Sequence, residues 1–133
     1  MIVMKPQTQE LYEEVAKELR DRLISELEGD IEAIILYGSV ARGESNEESD
    51  IDILIISSNK RRVYDRASDI RYELDLKHGT LTTIMVYTPE EFEQSLSLGS
   101  PFLREVLKEG KALYGERKLQ TYRRALQAGR AVS

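Results

Sequence analysis

Apolar residues recur at helical spacing in the first thirty positions and then give way to short, nearly unbroken apolar runs. The helical positions are four residues apart and comprise Leu11, Val15, Leu19, Leu23 and Leu27. Thr8 precedes most of this stretch as a predicted N-cap, and Gly29 follows it as a stop signal. The segment therefore predicts an amphipathic helix that covers one face of a sheet.

Three short apolar runs predict β-strands at residues 31–37, 50–56 and 81–87. In the second run, residues 53–56 are all apolar. Such a run is typical of a strand that is buried on both faces and lies in the middle of a sheet. Residues 111–114 predict one more short extended segment.

The segments between and after these runs predict further helices. After residues 57–59, inward-facing apolar residues at helical spacing lead to a helix end near His78-Gly79; they are Val63, Ala67, Ile70 and Leu74. Thr88 and Pro89 predict the start of a helix that reaches Leu98, and a helix over 102–109 follows the break at residues 99–101. The order of elements predicts an α/β (α+β) fold, in which helices pack on a small mixed β-sheet.

Length and composition are those of one globular domain. The chain has 133 residues, 41% of them hydrophobic and 32% charged, and no apolar run approaches the length of a membrane span. The absence of cysteine excludes a disulfide framework and a thiolate zinc site. The apolar residues 1–4 end at Lys5-Pro6, too soon for the central region of a signal peptide. We therefore expect a cytoplasmic protein that does not enter a membrane.

Charge is distributed unevenly along the chain. The net charge of −5 combines +4 in residues 115–133 with −9 in residues 1–114. We therefore divide the chain into an acidic body, residues 1–114, and a basic C-terminal helix or tail, residues 115–133. An acidic body argues against a general nucleic-acid binder, which needs a basic surface. The basic part is either a solvated helix or a docking segment for an acidic partner or RNA.

Two aspartates at the start of the second predicted strand carry the first candidate chemistry. Because side chains alternate along a strand, Asp50 and Asp52 project from one face and Ile51 from the other. Two carboxylates held this close repel, and the pKa of at least one rises unless a cation lies between them. Mg2+ relieves the repulsion, since it binds one or two carboxylates together with nucleotide phosphates and water. Asp50 and Asp52 are therefore the candidate catalytic residues and metal ligands, with Mg2+ as cofactor.

A glycine-serine turn precedes these aspartates. Gly38 allows a tight turn and a close approach of a ligand to the backbone, and Ser39 adds a hydroxyl. If the next residues begin a helix, free N–H groups and the positive end of the helix dipole point into the turn, where phosphate fits. Arg42 either donates to that phosphate or pairs with Glu44 or Glu47. Gly38, Ser39 and Arg42 are therefore the candidate nucleotide-binding residues.

This combination resembles the minimal nucleotidyltransferase family, small relatives of the DNA polymerase beta nucleotidyltransferase superfamily. The family pattern is Gly-Ser, a short variable loop and Asp-x-Asp on a strand, and it reads here Gly38-Ser39 and Asp50-Ile51-Asp52. The resemblance is dense over residues 36–56 and extends loosely through residues 101–110. It implies the nucleotidyltransferase (polymerase beta-like palm) fold for residues 1–114. It also implies that the Gly-Ser turn binds nucleotide phosphates and that the aspartate pair binds magnesium.

One feature departs from the family pattern. Active members of the superfamily usually carry a third carboxylate on a later strand, but residues 81–87 contain no acidic residue. Glu73 and Asp75 lie just upstream, and the sequence leaves open whether either reaches the site. The missing ligand argues against two-metal chemistry, so nucleotide binding is predicted more firmly than turnover.

The resemblance implies a magnesium-dependent transfer of NMP, most simply AMP from ATP, to a hydroxyl acceptor. Small members of the family often pair with a HEPN-domain protein as antitoxin and toxin, and some of them transfer AMP to a tyrosine of that partner. Two alternatives remain: a non-catalytic nucleotide-binding module that acts by complexing a partner protein, and transfer to a small-molecule hydroxyl. The acceptor, the base preference and the oligomeric state stay open, a homo-oligomer included.

Other chemically active residues have simpler interpretations. His78, the only histidine, is expected to meet free carbonyls at a helix end. Residues 60–62, which are Lys-Arg-Arg, are either a charged helix start or a cationic edge for a triphosphate. Half-buried packing is predicted for four tyrosines near helical spacing, Tyr64, Tyr72, Tyr114 and Tyr122.

Overall fold

The computed structural model describes residues 7–129, in which helices and strands follow one another closely. Helix α1 (Gln7–Leu27) and a 3-10 turn (Glu28–Asp30) lead into strand β1 (Ile31–Tyr37). Helix α2 (Gly38–Ala41), strand β2 (Ile51–Ser57), helix α3 (Lys60–His78) and strand β3 (Thr82–Tyr87) follow. The chain continues through α4 (Pro89–Ser97), α5 (Pro101–Glu109), β4 (Lys111–Tyr114) and α6 (Glu116–Gln127). The apolar residues 1–4 lie outside the described part.

The four strands form one mixed sheet in the order β3-β2-β1-β4. Strand β1 runs antiparallel to both β2 and β4, whereas β2 and β3 are parallel. In this register Asp52 of β2 lies between Tyr37 of β1 and Thr83 of β3. The mixed sheet predicted from the sequence is confirmed, and its two middle strands carry the Gly-Ser turn and the aspartates.

Helices cover both faces of this sheet. Helices α1 and α3 pack on one face, toward which Ile51, Ile53 and Ile55 of β2 point. Helices α4, α5 and α6 pack on the other face, toward which Leu54 and Ile56 point. These five side chains have no exposed surface, and burial of each stabilises the fold by about 1.5–3 kcal/mol. Strand β2 is therefore the central, doubly buried strand that its apolar run predicts.

Local signals fix most of the helix ends. Helix α3 ends at His78 because Gly79 adopts the left-handed conformation, with φ of 69°. Thr88 caps α4 in a reciprocal capping box with Glu91, and Pro89 occupies the first turn. Ser100 caps α5 by accepting a hydrogen bond from the Leu103 N–H.

Several predicted boundaries differ slightly from the structure, among them the end of α4 at Ser97 and the start of β3 at Thr82. Thr8 does not cap α1, since the helix already includes Gln7. Helix α5 begins at Pro101, one residue earlier than predicted, because proline suits the first helical position. Strand β2 begins at Ile51 and not at Asp50, so Asp50 lies in the loop that enters the strand. Ends of elements are the least strongly determined part of any helix or strand.

The C-terminal helix α6 packs on the sheet through Leu119 and Tyr122, both buried. Its approach is close, because a Cβ at Gly115, which has φ of 78°, would overlap the carbonyl oxygen of Glu32. The basic residues of α6 lie on its other sides, and Arg130 falls outside the described residues. The division into residues 1–114 and 115–133 stays a prediction. Among residues 7–129, no helix combines the length and the hydrophobicity that a bilayer crossing needs.

Candidate functional site

The turn between β1 and α2 brings the backbone next to an aspartate of the neighbouring strand. Gly38 has φ of +78°, a conformation that side chains other than glycine rarely adopt. A Cβ at this position would overlap Oδ2 of Asp52. The antiparallel register causes this proximity, since Tyr37, the last residue of β1, pairs with Asp52. The Gly-Ser turn and Asp52 predicted to share a site therefore face one another.

Helix α2 that follows the turn is only four residues long. The Arg42 N–H closes it by donating to the Gly38 carbonyl at 3.1 Å, and the Glu44 N–H donates to the Ser39 carbonyl at 2.9 Å. So few peptide dipoles add little to the potential in the turn. The Ser39 hydroxyl and the open backbone at Gly38 are therefore the stronger features of this candidate phosphate site.

Asp52 is half-buried and Asp50 lies beside it at the entrance of β2. Burial raises the pKa of the Asp52 carboxyl above its ordinary value, and the negative charge of Asp50 adds to this rise. A hydrogen bond from Thr83 and the charge of Arg42 act in the opposite direction. The two carboxylates thus interact electrostatically, as predicted, and their ionised forms together need a compensating cation.

Thr83 of β3 occupies the strand position next to Asp52, where a third carboxylate was sought. Its Oγ1 donates to Asp52 Oδ1 at 2.7 Å. The two upstream acids do not reach the site: Asp75 accepts hydrogen bonds from Thr80 and Thr82, and Glu73 pairs with Arg22 at 3.1 Å. Within residues 7–129, no cluster of three histidine, cysteine, aspartate or glutamate side chains is arranged to hold a metal ion.

Arg42 is held by two glutamates in this structure. Its Nε lies 2.9 Å from Oε1 of Glu44, and its Nη1 lies 3.0 Å from Oε1 of Glu109. Of the two open predictions for Arg42, ion pairing is the one the structure contains, with Glu44 as predicted and Glu109 of α5 in addition. Its charge still acts on Asp52, so the guanidinium remains close to the predicted phosphate position.

Several residues that support the site carry no local sequence signal. Burial and the Asp52 carboxylate raise the pKa of Tyr37 to about 12, and its ring packs edge-on against Phe102 with 5.5 Å between centroids. Gln9 of α1 donates to the Val40 carbonyl at 2.7 Å and accepts a hydrogen bond from Ser45. The contacts with Phe102, Val40 and Ser45 join residues 31 or more positions apart, so only the three-dimensional structure reveals them.

The structure corrects the predictions for His78 and for two tyrosines, and it agrees with a charged helix start at residues 60–62. His78 Nε2 lies 3.6 Å from Glu18 and makes no hydrogen bond to a carbonyl within the described residues. Lys60 pairs with Glu91 at 3.0 Å, as a charged helix start would. Tyr64 and Tyr72 are 49% and 62% exposed, so they are not half-buried packing residues.

A separate groove of about 480 Å³ lies along the outer edge of β3 and is lined by residues of α3, β3 and α4. Lys60, Tyr64, Tyr87 and Glu91 are among its walls. None of the predicted site residues belongs to it. The aspartates and the Gly-Ser turn instead form a polar seat on the β2 side of Thr83.

The donor set of this seat fits a divalent hard cation. It offers carboxylate oxygens from Asp50 and Asp52, without the nitrogen or sulfur ligands that zinc prefers. Because Asp52 packs against Gly38, a side chain at position 38 would not fit, whereas glycine leaves its backbone open to a ligand. An arrangement of this kind can hold a magnesium ion together with the phosphates of a nucleotide.

Comparisons with known proteins agree with this geometry. The family model described as "Nucleotidyltransferase domain" matches residues 13–114. The chain is 40% identical over 102 residues to "Putative protein adenylyltransferase MJ0604" of Methanocaldococcus jannaschii, covering 77% of this chain and 97% of the relative. It is 30% identical over 76 residues to "Putative protein adenylyltransferase MJ0141" of the same organism, covering 56% and 77%.

Solved structures show the same fold at low sequence identity. One is a chain of a toxin-antitoxin crystal structure with AMP-PNP, with a TM-score of 0.53 and 20% identity over 85% of this chain and 90% of that one. Another is a mutant of the toxin-antitoxin MntA-HpeT, with a TM-score of 0.50, 16% identity and the same coverage. The predicted resemblance to the minimal nucleotidyltransferases is confirmed, and the chain belongs to the nucleotidyltransferase domain family.

Proposed function

We propose that this nucleotidyltransferase moves AMP from ATP to a hydroxyl acceptor in a magnesium-dependent reaction. The acceptor that we propose is a tyrosine of a HEPN-type partner protein, toward which the chain acts as an antitoxin. The observation that carries the proposal is the contact between the Asp52 carboxylate and Gly38, with Asp50 alongside. This contact supports a site in which the two acids act together with the proposed phosphate-binding turn.

Each predicted site residue has a role in this reaction. Asp50 and Asp52 hold Mg2+ through their oxygens, and their paired negative charge makes binding of a cation favourable. Gly38 lets the polyphosphate approach the backbone, and the Ser39 hydroxyl donates to a phosphate oxygen. Arg42 exchanges a carboxylate partner for the leaving pyrophosphate, since Glu44 and Glu109 hold it at the exposed rim of the site.

The bound metal would supply charge neutralisation at the phosphates and polarise the transferred phosphoryl group. The protein supplies position. The central strand β2 fixes Asp52, and the hydrogen bond from Thr83 sets the orientation of its carboxylate. Rigid placement of this kind is the main contribution of a protein to phosphoryl transfer.

The comparisons support AMP as the transferred group and a protein as the acceptor. Both relatives from Methanocaldococcus jannaschii carry the name "Putative protein adenylyltransferase". The match to the first of them covers 97% of its length. The fold is shared with a toxin-antitoxin chain that was crystallised with AMP-PNP.

The experiment that tests the proposal uses the product of the gene next to that of this chain, which we expect to be a HEPN-type protein. We expect the pair to copurify, and the partner to gain the mass of one or more AMP groups when ATP and Mg2+ are added. Asp50→Asn/Asp52→Asn should bind the partner but transfer no AMP, whereas the exposed helix variant Asp69→Asn should transfer normally. Two results would show that the chain acts as a binding module and that the catalytic proposal is wrong. One is full inhibition of the partner's toxin activity by the double variant, and the other is a partner whose mass does not change with the wild-type chain.

A further inference from the structure

We infer that Thr83 limits the site to one divalent cation, so that this chain works with a single metal ion where three-carboxylate sites hold two. The inference rests on the proposed metal seat between Asp50 and Asp52. It concerns the number of ions in that seat and the residue that determines it.

The register of the sheet gives Thr83 its influence. Strands β2 and β3 are parallel, and Thr83 pairs with Asp52, so both side chains leave the same face in adjacent positions. Thr83 Oγ1 lies 2.7 Å from Asp52 Oδ1. Because threonine is branched at Cβ, its hydroxyl is held in few orientations on a strand.

This hydrogen bond assigns different tasks to the two oxygens of Asp52. Oδ1 accepts from Thr83 on the β3 side, whereas Oδ2 lies against Gly38 on the side of the turn. On its β3 side the carboxylate therefore already faces a neutral hydroxyl donor, in the place where a third carboxylate would stand in a three-carboxylate site.

Charge gives a second argument. The two carboxylates of Asp50 and Asp52 balance one divalent cation, and Thr83 is neutral. Among residues 7–129 no group of three acids is arranged to hold a metal ion: Asp75 is bound to Thr80 and Thr82, and Glu44 and Glu109 are paired with Arg42. Tyr37 and Met85, whose Oη and Sδ lie 3.6 Å apart, line the same region and offer no anionic ligand. A second cation would thus find its anionic ligands only on the nucleotide phosphates and not on a further acid of the protein.

The test counts bound metal ions directly. Equilibrium dialysis of the full chain with Mn2+ and the non-hydrolysable nucleotide AMP-PNP should give one Mn2+ per chain. Thr83→Asp, which adds a carboxylate next to Asp52, should give two. Thr83→Ser, which keeps the hydroxyl, should match wild type. Thr83→Val, which cannot donate, should still bind one Mn2+ but about 10- to 100-fold more weakly.

The outcomes separate this inference from the proposed function. Two Mn2+ ions in wild type, or one in a folded Thr83→Asp variant, would overturn the inference and leave the metal seat in place. No bound Mn2+ in wild type would instead remove the seat itself. Unchanged affinity in Thr83→Val would show that Thr83 does not orient Asp52. Circular dichroism of each variant verifies that the fold is retained.

Discussion

At the scale of single residues, the site depends on a glycine and an aspartate that come from different strands. Gly38 satisfies two conditions at once, a left-handed backbone and the absence of a Cβ beside Asp52 Oδ2. Gly43 offers a useful comparison, because it has a similar φ of +73° but open space around it. A comparison of substitutions at the two glycines therefore separates the effect of backbone strain from that of steric overlap with Asp52.

Gly38→Ala should damage the site more than Gly43→Ala. Both variants place alanine in the left-handed region, so each should lower the free energy of unfolding by about 1–2 kcal/mol. Only Gly38→Ala also displaces the Asp52 carboxylate, so only this variant should lose nucleotide binding. Urea denaturation and calorimetric titration with AMP-PNP and Mg2+ measure the two effects. Equal nucleotide affinity in both variants would contradict the proposed contact.

Asp52, the proposed metal ligand, works against stability in the absence of ligand. Since its folded-state pKa lies above the ordinary carboxyl value, the folded chain holds the Asp52 proton more tightly than the unfolded chain does. The contribution of Asp52 to stability is therefore greatest at low pH and is lost as the pH rises through the folded-state pKa. At neutral pH, the buried charge lowers the stability of the fold.

Asp52→Asn should consequently raise the melting temperature of the ligand-free chain at pH 7. The advantage over wild type should shrink as the pH falls below the pKa of Asp52, because both side chains are then neutral. Addition of Mg2+ and ATP should reverse the order, since only wild type is stabilised by ligand binding. Thermal unfolding followed by circular dichroism tests this, with Asp69→Asn as the control. A lower melting temperature for Asp52→Asn without ligand would contradict the argument.

Some residues of the site could be predicted from the sequence and others could not. Gly38, Ser39, Asp50 and Asp52 form a local pattern whose chemistry follows from strand alternation and turn geometry. Thr83 could not be assigned, because its role depends on the register between β2 and β3. Glu109 lies 67 positions from Arg42. No spacing rule connects such positions.

At the scale of secondary-structure elements, the strongest local signals gave the best predictions. Thr88 with Pro89, and Gly79 after His78, fix helix ends through their own caps. The first helix was less well placed at its start, where Thr8 lies inside α1. Thr8 could cap this helix only if the residue before it were not helical, and Gln7 is already part of α1.

Helix α6 has a basic composition that suggests exposure to solvent, yet it packs against the sheet. Its basic residues suggested a solvated helix or a docking segment, yet Leu119 and Tyr122 are buried against the sheet. Tyr122 also donates to Glu93 of α4 at 2.7 Å, and its ring lies 4.9 Å from that of Phe92. The helix therefore closes one face of the core.

Leu119→Ala should lower the free energy of unfolding by about 2–5 kcal/mol, the usual range for a leucine lost from a packed core. Arg124→Ala, on the exposed side of α6, should change it by less than about 0.5 kcal/mol. Urea denaturation of both variants gives the comparison. Similar stability for the two would mean that α6 is an appended helix and not part of the core.

At the scale of the whole molecule, the sequence predicted a mixed sheet with helices packed on it, and the structure confirms this arrangement. The unbroken apolar run of β2 placed that strand at the centre, because burial on both faces leaves no polar side. The position of β4 at the outer edge beside β1 was not predicted. The four residues of β4 have a weak apolar periodicity. Such a pattern predicts a strand but does not predict which strand it pairs with.

Among the surface features of residues 7–129, two are of interest as places for a nucleotide. One is the polar seat formed by Gly38, Asp50 and Asp52, and the other is the groove of about 480 Å³ on the far side of β3. The groove has tyrosine side chains and Lys60, but it lacks the paired carboxylates that bind a cation. The physical argument therefore favours the smaller seat over the larger groove.

A crystal structure of the chain with AMP-PNP and Mg2+ tests this central claim most directly. We predict electron density for a magnesium ion that bridges Asp50, Asp52 and the phosphates, with the polyphosphate against Gly38 and Ser39. Density for the nucleotide in the groove beside Lys60 and Tyr87, with the aspartates free of metal, would contradict the account.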